Sequence, residues 1–384
     1  MPKPKICFAA IFKNESKNVY RCLNAIKSII DYVSICDTGS TDKTVELINQ
    51  WGSENSIPTK VHTGSSQVFK NFGHNRTLSY KKAIESFPSA DYLLLIDADM
   101  VVKIKETFDA NSLTKDCYLF EQVTPGLRYW NTRLISTRCK WECVGVTHEY
   151  WDRRDPKDKN SSPVKFTDIY IEDIGDGGSK QDKFKRDIRL LTDGINDQET
   201  PEYLKGRYKF YLANSHKDSG NYADAIEWYQ KKIDQQGWVE EIFYSYLNMG
   251  KCYLKLKDYS KAGESFLYAW DLHPTRAESL YELSKMYREL GKNNIAMLYA
   301  EKGSRIPYPV NDSLFIDHNV YEYLFYEEIS IAGFYATEGR QKGKAAMIKL
   351  LSMKSKIPDN KYKLAISNAK HYGITEDTIN KLTN

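Results

Sequence analysis

The sequence predicts two architectures in one chain, an α/β domain followed by an all-α domain of stacked helical repeats. Three observations favour this fold class. The first half of the chain alternates short apolar runs with helical patterns, the second half keeps the helical period without strand signals, and a motif recurs there at a nearly constant interval. A chain of 384 residues has room for two or three domains. We place a catalytic domain at residues 1–195 and a repeat domain at 200–384, joined at 198–201.

The α/β prediction rests on strand–helix–strand units. Residues 5–11 and 32–36 are predicted strands, and the apolar residues of 19–30 fall on one helical face between them. Residues 92–96 are apolar throughout, which is typical of a strand covered on both faces. This alternation implies a Rossmann-like, mostly parallel sheet whose ligands bind beyond the carboxyl ends of the strands.

The second half carries an internal repeat. Ala225, Ala262 and Ala296 recur 37 and then 34 residues apart in similar turn-and-helix segments, and Pro274 and Pro307 close successive units. A period near 34 with paired helices, a small residue and a closing proline resembles the tetratricopeptide pattern. The resemblance implies a TPR-like α-solenoid, in which stacking buries a face that one unit cannot bury alone. The solenoid would recruit an acceptor or mediate self-association as a homo-oligomer, and the pattern does not choose between them.

The composition excludes several classes of protein. Lys and Arg number 55 against 51 Asp and Glu, a net charge of +4 that argues against a nucleic-acid partner. No apolar run approaches the ~20 residues that a transmembrane segment needs, and no signal-peptide-like region follows the N-terminal charges. The odd, unpatterned set of seven cysteines favours reduced thiols. We therefore expect a soluble, cytoplasmic protein.

Carboxylates follow two of the predicted strands. Asp37 ends the second strand before a glycine turn, where it would either accept hydrogen bonds from a nucleotide or only shape the turn. Asp97 and Asp99 come directly after the apolar strand at 92–96. Alternate residues of an extended segment project to one side, and their charges would repel unless a cation lay between them. This position predicts a divalent-cation site.

Four motifs then carry a family resemblance. Residues 11–18, 35–44, 72–76 and 95–99 closely resemble, in order and spacing, the motifs of family 2 glycosyltransferases over about residues 5–190. The resemblance implies a GT-A fold, a nucleotide-sugar donor such as a UDP-sugar, Mn²⁺ or Mg²⁺ as cofactor, and inversion at the anomeric carbon.

The same resemblance implies roles for individual residues. Asn14, Glu15 and Asp37 would line the nucleotide pocket. Arg76 would approach the base or the diphosphate, Asp97 the ribose or the metal, and Asp99 the metal.

The general base has several candidates. In the segment 145–151, which also resembles a motif of repeat-bearing members of the family, Glu149 is a candidate base and His148 a third metal ligand or the base itself. Asp173 and Asp176 are alternative bases or ligands. A local His–Glu pair without catalytic function is the simpler alternative. The basic run 180–189 is interpreted as the polar face of a helix.

These observations favour a metal-dependent inverting glycosyltransferase that acts on a glycan or protein acceptor. Two alternatives remain open. One is a nucleotidyltransferase-like enzyme that uses the same site, and the other is a non-catalytic repeat scaffold with an inactive GT-A domain.

Overall fold

The structure is a computed structural model that describes residues 3–124, 127–155, 162–174, 176 and 183–383. The chain forms two compact units, Met1–Thr200 and Pro201–Asn384. All seven cysteines are buried as free thiols. Within the described ranges no helix is long and apolar enough to cross a membrane.

The N-terminal unit alternates strands and helices in its first half and is rich in strands in its second. In chain order its elements are β1 (Ile6–Phe12), α1 (Val19–Ile26), β2 (Tyr32–Asp37), α2 (Thr44–Asn55), β3 (Thr59–His62), α3 (Phe72–Ser86), β4 (Tyr92–Leu94), β5 (Met100–Ile104), β6 (Cys117–Thr124), β7 (Leu127–Ser136), β8 (Trp141–Val144), β9 (Tyr150–Arg153), β10 (Val164–Asp173) and α4 (Lys183–Asn196). Short 3₁₀ turns lie at Ser65–Gln67 and Ala110–Ser112.

Alternate side chains of β1 and β4 enter two separate cores. Phe8 and Leu94 pack into a core that α1 and α2 cover, whereas Cys7 and Leu93 pack into a core on the opposite face that includes side chains of α3. Strands covered on both faces are apolar without alternation, which explains the uniform run found in the sequence.

The strands form an eight-stranded sheet in the order β3-β2-β1-β4-β7-β6-β10-β5 and a separate β8-β9 hairpin. Strands β1 to β4 pair in parallel. Beyond β4 the sheet is mixed, because β7 runs antiparallel to both β4 and β6, and β10 is parallel to β6 but antiparallel to β5. The prediction of a mostly parallel sheet therefore describes the first half of the sheet and not the second.

The secondary structure of the C-terminal unit consists of helices, with no strand among its described residues. Its helices are α5 (Glu202–Asp218), α6 (Tyr222–Gln235), α7 (Val239–Lys255), α8 (Tyr259–Leu272), α9 (Glu278–Glu289), α10 (Asn293–Gly303), a π-helical turn (Val320–Leu324), α11 (Phe325–Tyr335), α12 (Arg340–Leu351), α13 (Asp359–Ala369) and α14 (Glu376–Thr383), with 3₁₀ turns at Lys354–Lys356 and Lys370–Tyr372.

Consecutive helices of this unit pack as pairs, and the pairs stack on one another. The repeated residues Ala225, Ala262 and Ala296 are fully buried. At Gly250 of α7 an added Cβ would lie 2.5 Å from the Phe266 ring of α8, so a side chain there would separate the pair. Small residues thus permit close helix packing, as the repeat pattern predicted.

Charged side chains are also buried in the repeat unit. Arg276 is fully buried, and its Nη2 lies 2.8 Å from Oε1 of Glu278. Its Nη1 donates to the carbonyl of Leu314 at 3.2 Å. Glu240 Oε2 accepts hydrogen bonds from the backbone N–H groups of Ser313 and Leu314. This cluster binds the main chain between α10 and α11 to helices α7 and α9.

Candidate active site

A cleft of about 480 Å³ includes the loops that follow β1 and β4, where the strand order reverses. From β1 the chain crosses to β2 and β3 on one side and then returns to β4 on the other side. The loops that leave β1 and β4 therefore diverge and open a crevice for a ligand. Residues singled out from the sequence line it: Asn14, Glu15, Arg76, Asp97, Asp99 and Asp173.

Asn14 binds the loop after β1 to the loop after β2. Its backbone is left-handed, with φ of 55°, a conformation that asparagine adopts more readily than most residues. Its N–H donates to Ser40 Oγ at 2.9 Å, and its Oδ1 accepts from the Thr41 N–H at 2.8 Å. Asn14 therefore fixes the spacing of two loops beside the cleft.

Glu15 is a buried carboxylate in the cleft lining, only 7% exposed. Its Oε2 accepts a hydrogen bond from Asn18 Nδ2 at 2.7 Å, and its backbone N–H donates to Thr44 Oγ1 at 2.8 Å. The first bond orients the side chain and the second fixes its backbone, so its place in the lining is set by the fold.

Asp37 shapes the turn after β2, and the adjacent Thr38 lines the cleft. Asp37 Oδ2 accepts hydrogen bonds from the N–H groups of Gly39 and Ser40 at 3.1 and 3.0 Å. Its other oxygen, Oδ1, is buried without a hydrogen-bond partner among the described residues. A buried acceptor without a donor is costly, and a bound ligand is one way to satisfy it.

Arg76, near the start of α3, bridges two carboxylates. Its Nη2 lies 2.7 Å from Asp97 Oδ1, and its Nε lies 2.6 Å from Glu149 Oε1. Burial disfavours the charged guanidinium, but the two carboxylates outweigh it, and the pKa of Arg76 is raised. A fixed positive charge thus lies within a cluster of acids.

Glu149 reaches Arg76 because its loop packs on the start of α3. The N–H groups of Phe72 and Gly73 donate to the carbonyls of Val146 and Gly145, each at 3.0 Å. A Cβ on Gly73 would collide with the carbonyl oxygen of Gly145. Only glycine permits this close contact of two backbones.

Asp97 and Asp99 lie in the cleft beyond β4. In the part of the chain that the structure describes, no three or more His, Cys, Asp or Glu side chains form a group able to hold a metal ion. The predicted ligand set of Asp97, Asp99 and His148 is therefore not assembled as a protein-only site. Two carboxylates suffice for Mg²⁺ when phosphate oxygens and water complete the coordination. Asp97 and Asp99 therefore fit a divalent cation only if groups other than protein side chains would complete its coordination.

Asp173, at the end of β10, is a further carboxylate of the lining. It lies opposite Met100 in the antiparallel pairing of β10 with β5, one residue along from Asp99. Gln122 Nε2 donates to its Oδ2 at 3.3 Å. The sequence named Asp173 as an alternative base, but nothing local in the sequence indicated Gln122.

Asp176 has a different environment. Arg21 binds both of its oxygens, with Nη1 2.8 Å from Oδ2 and Nη2 2.6 Å from Oδ1. These hydrogen bonds lower the pKa of Asp176. The pairing favours a persistent ion pair over a proton acceptor.

Basic and aromatic side chains form another part of the lining. The guanidinium carbons of Arg186 and Arg76 lie 5.0 and 5.9 Å from the centre of the Phe72 ring. Lys183, three residues before Arg186 on α4, also lines the cleft. The sequence predicted a polar helix face here and did not anticipate that it faces the cleft, although basic residues at this spacing share one side of a helix. Residues 180–182 of that run lie outside the described residues.

No protein-family model matches the chain. The chain is 24% identical over 260 residues to the SPbeta prophage-derived glycosyltransferase SunS of Bacillus subtilis strain 168, a match that covers 62% of this chain and 57% of that protein. It is 33% identical over 95 residues to an uncharacterized glycosyltransferase of Rickettsia felis, which covers 25% of this chain and 29% of the relative. The match to the first relative thus spans little more than half of that protein's length.

Among solved structures, the chain is similar to YrrB, described as a TPR protein with an unusual peptide-binding site. The TM-score is 0.35 at 16% identity, over 50% of this chain and 92% of that one. A TM-score of this size does not establish a common fold. The chain is distantly similar to glycosyltransferases, and its membership of family 2 stays a prediction.

Proposed function

We propose that the N-terminal unit is a GT-A glycosyltransferase that moves a sugar from a nucleoside-diphosphate sugar, first among them a UDP-sugar, to a hydroxyl group of a glycan or protein. The observation that carries the proposal is the cleft at the β1–β4 switch point, where carboxylates at strand ends meet basic side chains. The distant similarity to glycosyltransferases supports the same reaction.

The nucleoside would occupy the end of the cleft formed by the loops after β1 and β2. Asp37 Oδ1 is a buried acceptor that a ribose hydroxyl or a base N–H can satisfy. Asn14 and Glu15 are held by protein hydrogen bonds and would form the wall of this pocket. A pocket with a preset shape loses little conformational entropy when its ligand binds.

The diphosphate would lie near the positive charges of the cleft. Arg76, Lys183 and Arg186 line it and carry no acceptors, so they suit phosphate oxygens. A divalent cation held by Asp97 and Asp99 would supply Lewis-acid stabilisation of the leaving diphosphate. Because Arg76 already binds Asp97 Oδ1, the cation and Arg76 would share that carboxylate.

The transfer forms a bond between the acceptor oxygen and the anomeric carbon and breaks the bond from that carbon to the diphosphate. The bonding electrons leave with the diphosphate oxygen, and the acceptor proton passes to a carboxylate. Attack from the face opposite the leaving group inverts the anomeric carbon. Arg76 would stabilise the charge that develops on the departing diphosphate.

Among the candidate bases, the geometry favours Asp173. Glu149 must give up its bond to Arg76 before that oxygen can take a proton, and both oxygens of Asp176 bind Arg21. Asp173 lines the cleft and accepts from the neutral amide of Gln122. We therefore assign the proton transfer to Asp173, with Glu149 and His148 as the alternatives.

The test combines binding with turnover. The full chain is incubated with UDP-glucose, UDP-N-acetylglucosamine, GDP-mannose and a CMP-sugar, with and without Mn²⁺, and both the thermal transition and the released nucleotide are measured. A ligand at 100 times its Kd stabilises the folded state by about 2.7 kcal/mol, a shift that is easy to detect. We expect at least one donor to raise the transition temperature and to release its nucleotide.

Asp99→Asn is the matched variant, because it keeps the shape and removes the charge. It should abolish the Mn²⁺-dependent part of the shift and of the turnover. Release of pyrophosphate would favour a nucleotidyltransferase instead. The proposal fails if no nucleotide sugar shifts the transition, or if Asp99→Asn turns over at the wild-type rate.

A further inference from the structure

Two buried polar side chains lie between neighbouring strands beside the cleft. Gln122 of β6 is 1% exposed, and Arg133 of β7 is 8% exposed. Arg133 Nη2 donates to Gln122 Oε1 at 2.6 Å. Burying a charged group costs free energy unless its partners offset that cost. The presence of Gln122 and Arg133 in the core of a sheet therefore requires an explanation.

A β-bulge places Arg133 in this position. In the β6–β7 ladder Tyr118 pairs with Leu134 and Leu119 pairs with Thr132, which leaves Arg133 as the extra residue of β7. Bulges re-aim a side chain and are frequent next to active sites. The bulge therefore interrupts the regular pairing of β6 and β7 at one residue, Arg133.

Arg133 contacts the strand that leads to the aspartates. Its carbonyl accepts from the N–H of Leu95 at 2.8 Å, and its Nη1 donates to the carbonyl of Leu95 at 3.2 Å. Leu95 precedes Asp97 by two residues. The main chain and the side chain of Arg133 thus both hold the end of β4.

The other end of the network reaches Asp173. Gln122 accepts from Arg133 through Oε1 and donates to Asp173 Oδ2 through Nε2. One continuous set of hydrogen bonds therefore joins the backbone that carries Asp97 to the side chain of Asp173.

This hydrogen-bond network is not expected to stabilise the sheet more than apolar side chains would. Burial lowers the pKa of Arg133, although Asp97 opposes that shift, and Arg133 Nε has no partner in the described parts of the chain. Well-packed apolar residues of similar volume are often at least as stabilising as buried charges. A requirement of the cleft explains the arrangement better than a requirement of the core.

We propose that Arg133 and Gln122 are positioning residues that orient Asp173 and fix its spacing from Asp97. The inference rests on the proposed glycosyl transfer. It assigns a function to two residues that are not part of the cleft lining and that act through Asp173.

Gln122→Glu is the most informative variant, because it separates the two contacts of Gln122. The new carboxylate keeps an acceptor for Arg133, so the fold is retained, but it replaces the donor to Asp173 with a like charge. Displacing a reacting group by about 1 Å costs on the order of 100-fold in rate. We expect kcat for nucleotide release to fall about 10- to 100-fold, with the donor KM within about twofold of wild type.

Glu121→Gln is the matched control, because Glu121 lies on the same strand, on the opposite face, in an ion pair with Arg128. It should leave kcat and KM unchanged. Gln122→Met, which loses both contacts, should lower kcat at least as much as Gln122→Glu. Asp173→Asn should lower it further.

The outcomes separate this inference from the proposed function. If wild type releases no nucleotide from UDP-glucose, UDP-N-acetylglucosamine, GDP-mannose or the CMP-sugar, both are overturned. If wild type is active but Gln122→Glu keeps its kcat, or loses it only in proportion to donor binding, the positioning role alone is overturned. Full activity in Asp173→Asn would also overturn it and leave glycosyl transfer standing.

Discussion

Both units bury an arginine among carboxylates, but the surroundings of the two charges differ. In the repeat unit, Arg276 is fully buried and binds Glu278 through both Nε and Nη2. In the N-terminal unit, Arg76 binds Asp97 and Glu149, whose side chains keep 27% and 16% exposure. One cluster is closed to water, and the other lies in a cleft.

This difference in surroundings indicates a different function for each arginine. The Arg276 cluster ends on main-chain groups, because Arg276 and Glu240 bind the backbone of Leu314. It therefore holds a connecting segment in place. The partners of Arg76 are partly exposed side chains, so an anionic group such as a diphosphate can replace one of them. We expect Arg276 to govern stability and Arg76 to govern activity.

The largest effect should come from Arg276→Met. Removing one partner of a buried ion pair leaves uncompensated charge and costs about 3–5 kcal/mol. Denaturant unfolding of the full chain, followed by circular dichroism, should show a loss of this size. Arg305→Met is the control, because Arg305 is 77% exposed, pairs with Glu301 four residues earlier and should change stability by less than about 0.5 kcal/mol. A loss below about 1 kcal/mol for Arg276→Met would remove the contrast between the clusters.

Arg76→Met should show the reverse pattern. On the proposed mechanism the variant removes a charge that stabilises the departing diphosphate, and losing one such group costs about 100- to 1,000-fold in turnover. Its stability loss should be smaller than that of Arg276→Met, because cleft water can solvate Asp97 and Glu149. Nucleotide release and denaturant unfolding of the same samples measure both effects. A large stability loss with unchanged turnover would make Arg76 a structural residue.

Helical glycines give a third and smaller contrast. A Cβ at Gly73 would lie 2.8 Å from the Cys143 carbonyl and would also collide with that of Gly145, whereas at Gly263 its nearest neighbour would be Met286 Cε at 3.5 Å. Gly73→Ala should therefore cost about 1–3 kcal/mol by overpacking. Gly263→Ala should gain up to about 1 kcal/mol, because alanine favours the helix.

Measurements of nucleotide release should also distinguish the two glycine variants. Gly73→Ala should also lower nucleotide release, since it moves the loop that carries Glu149 away from Arg76, and Gly263→Ala should not. Equal stability changes in the two variants would mean that the backbone contact at Gly73 can relax.

The sequence was sufficient where the signal is local. Asp97 and Asp99 follow an apolar strand, and that position alone predicted side chains beyond the carboxyl end of a strand, where the structure has them in the cleft. The alanines of the repeats likewise recur at a nearly constant spacing in the sequence, and they are buried as expected.

The sequence was insufficient for features that depend on pairing between residues far apart in the chain. The mixed half of the sheet depends on β7 inserting between β4 and β6, which no local pattern encodes. Gln122 contacts Asp173 across 51 residues, and Arg76 contacts Glu149 across 73. The sequence singled out Arg76 and Glu149 separately, but their ion pair follows from two backbones meeting at Gly73 and Gly145.

The smallest effect should come from Asp176→Asn, which tests a candidate base. The hydrogen bonds from Arg21 lower the pKa of Asp176 below 3.8, so this pair stabilises the fold above that pH and is lost as the pH falls through the folded pKa. With 37% of the Asp176 side chain exposed, solvent screening limits the contribution to less than about 1 kcal/mol. The variant should thus be slightly less stable than wild type at pH 7, the difference should shrink as the pH falls below 3.8, and its nucleotide release should stay within about threefold. A 100-fold loss of turnover at unchanged stability would instead make Asp176 the base and displace Asp173 from that role.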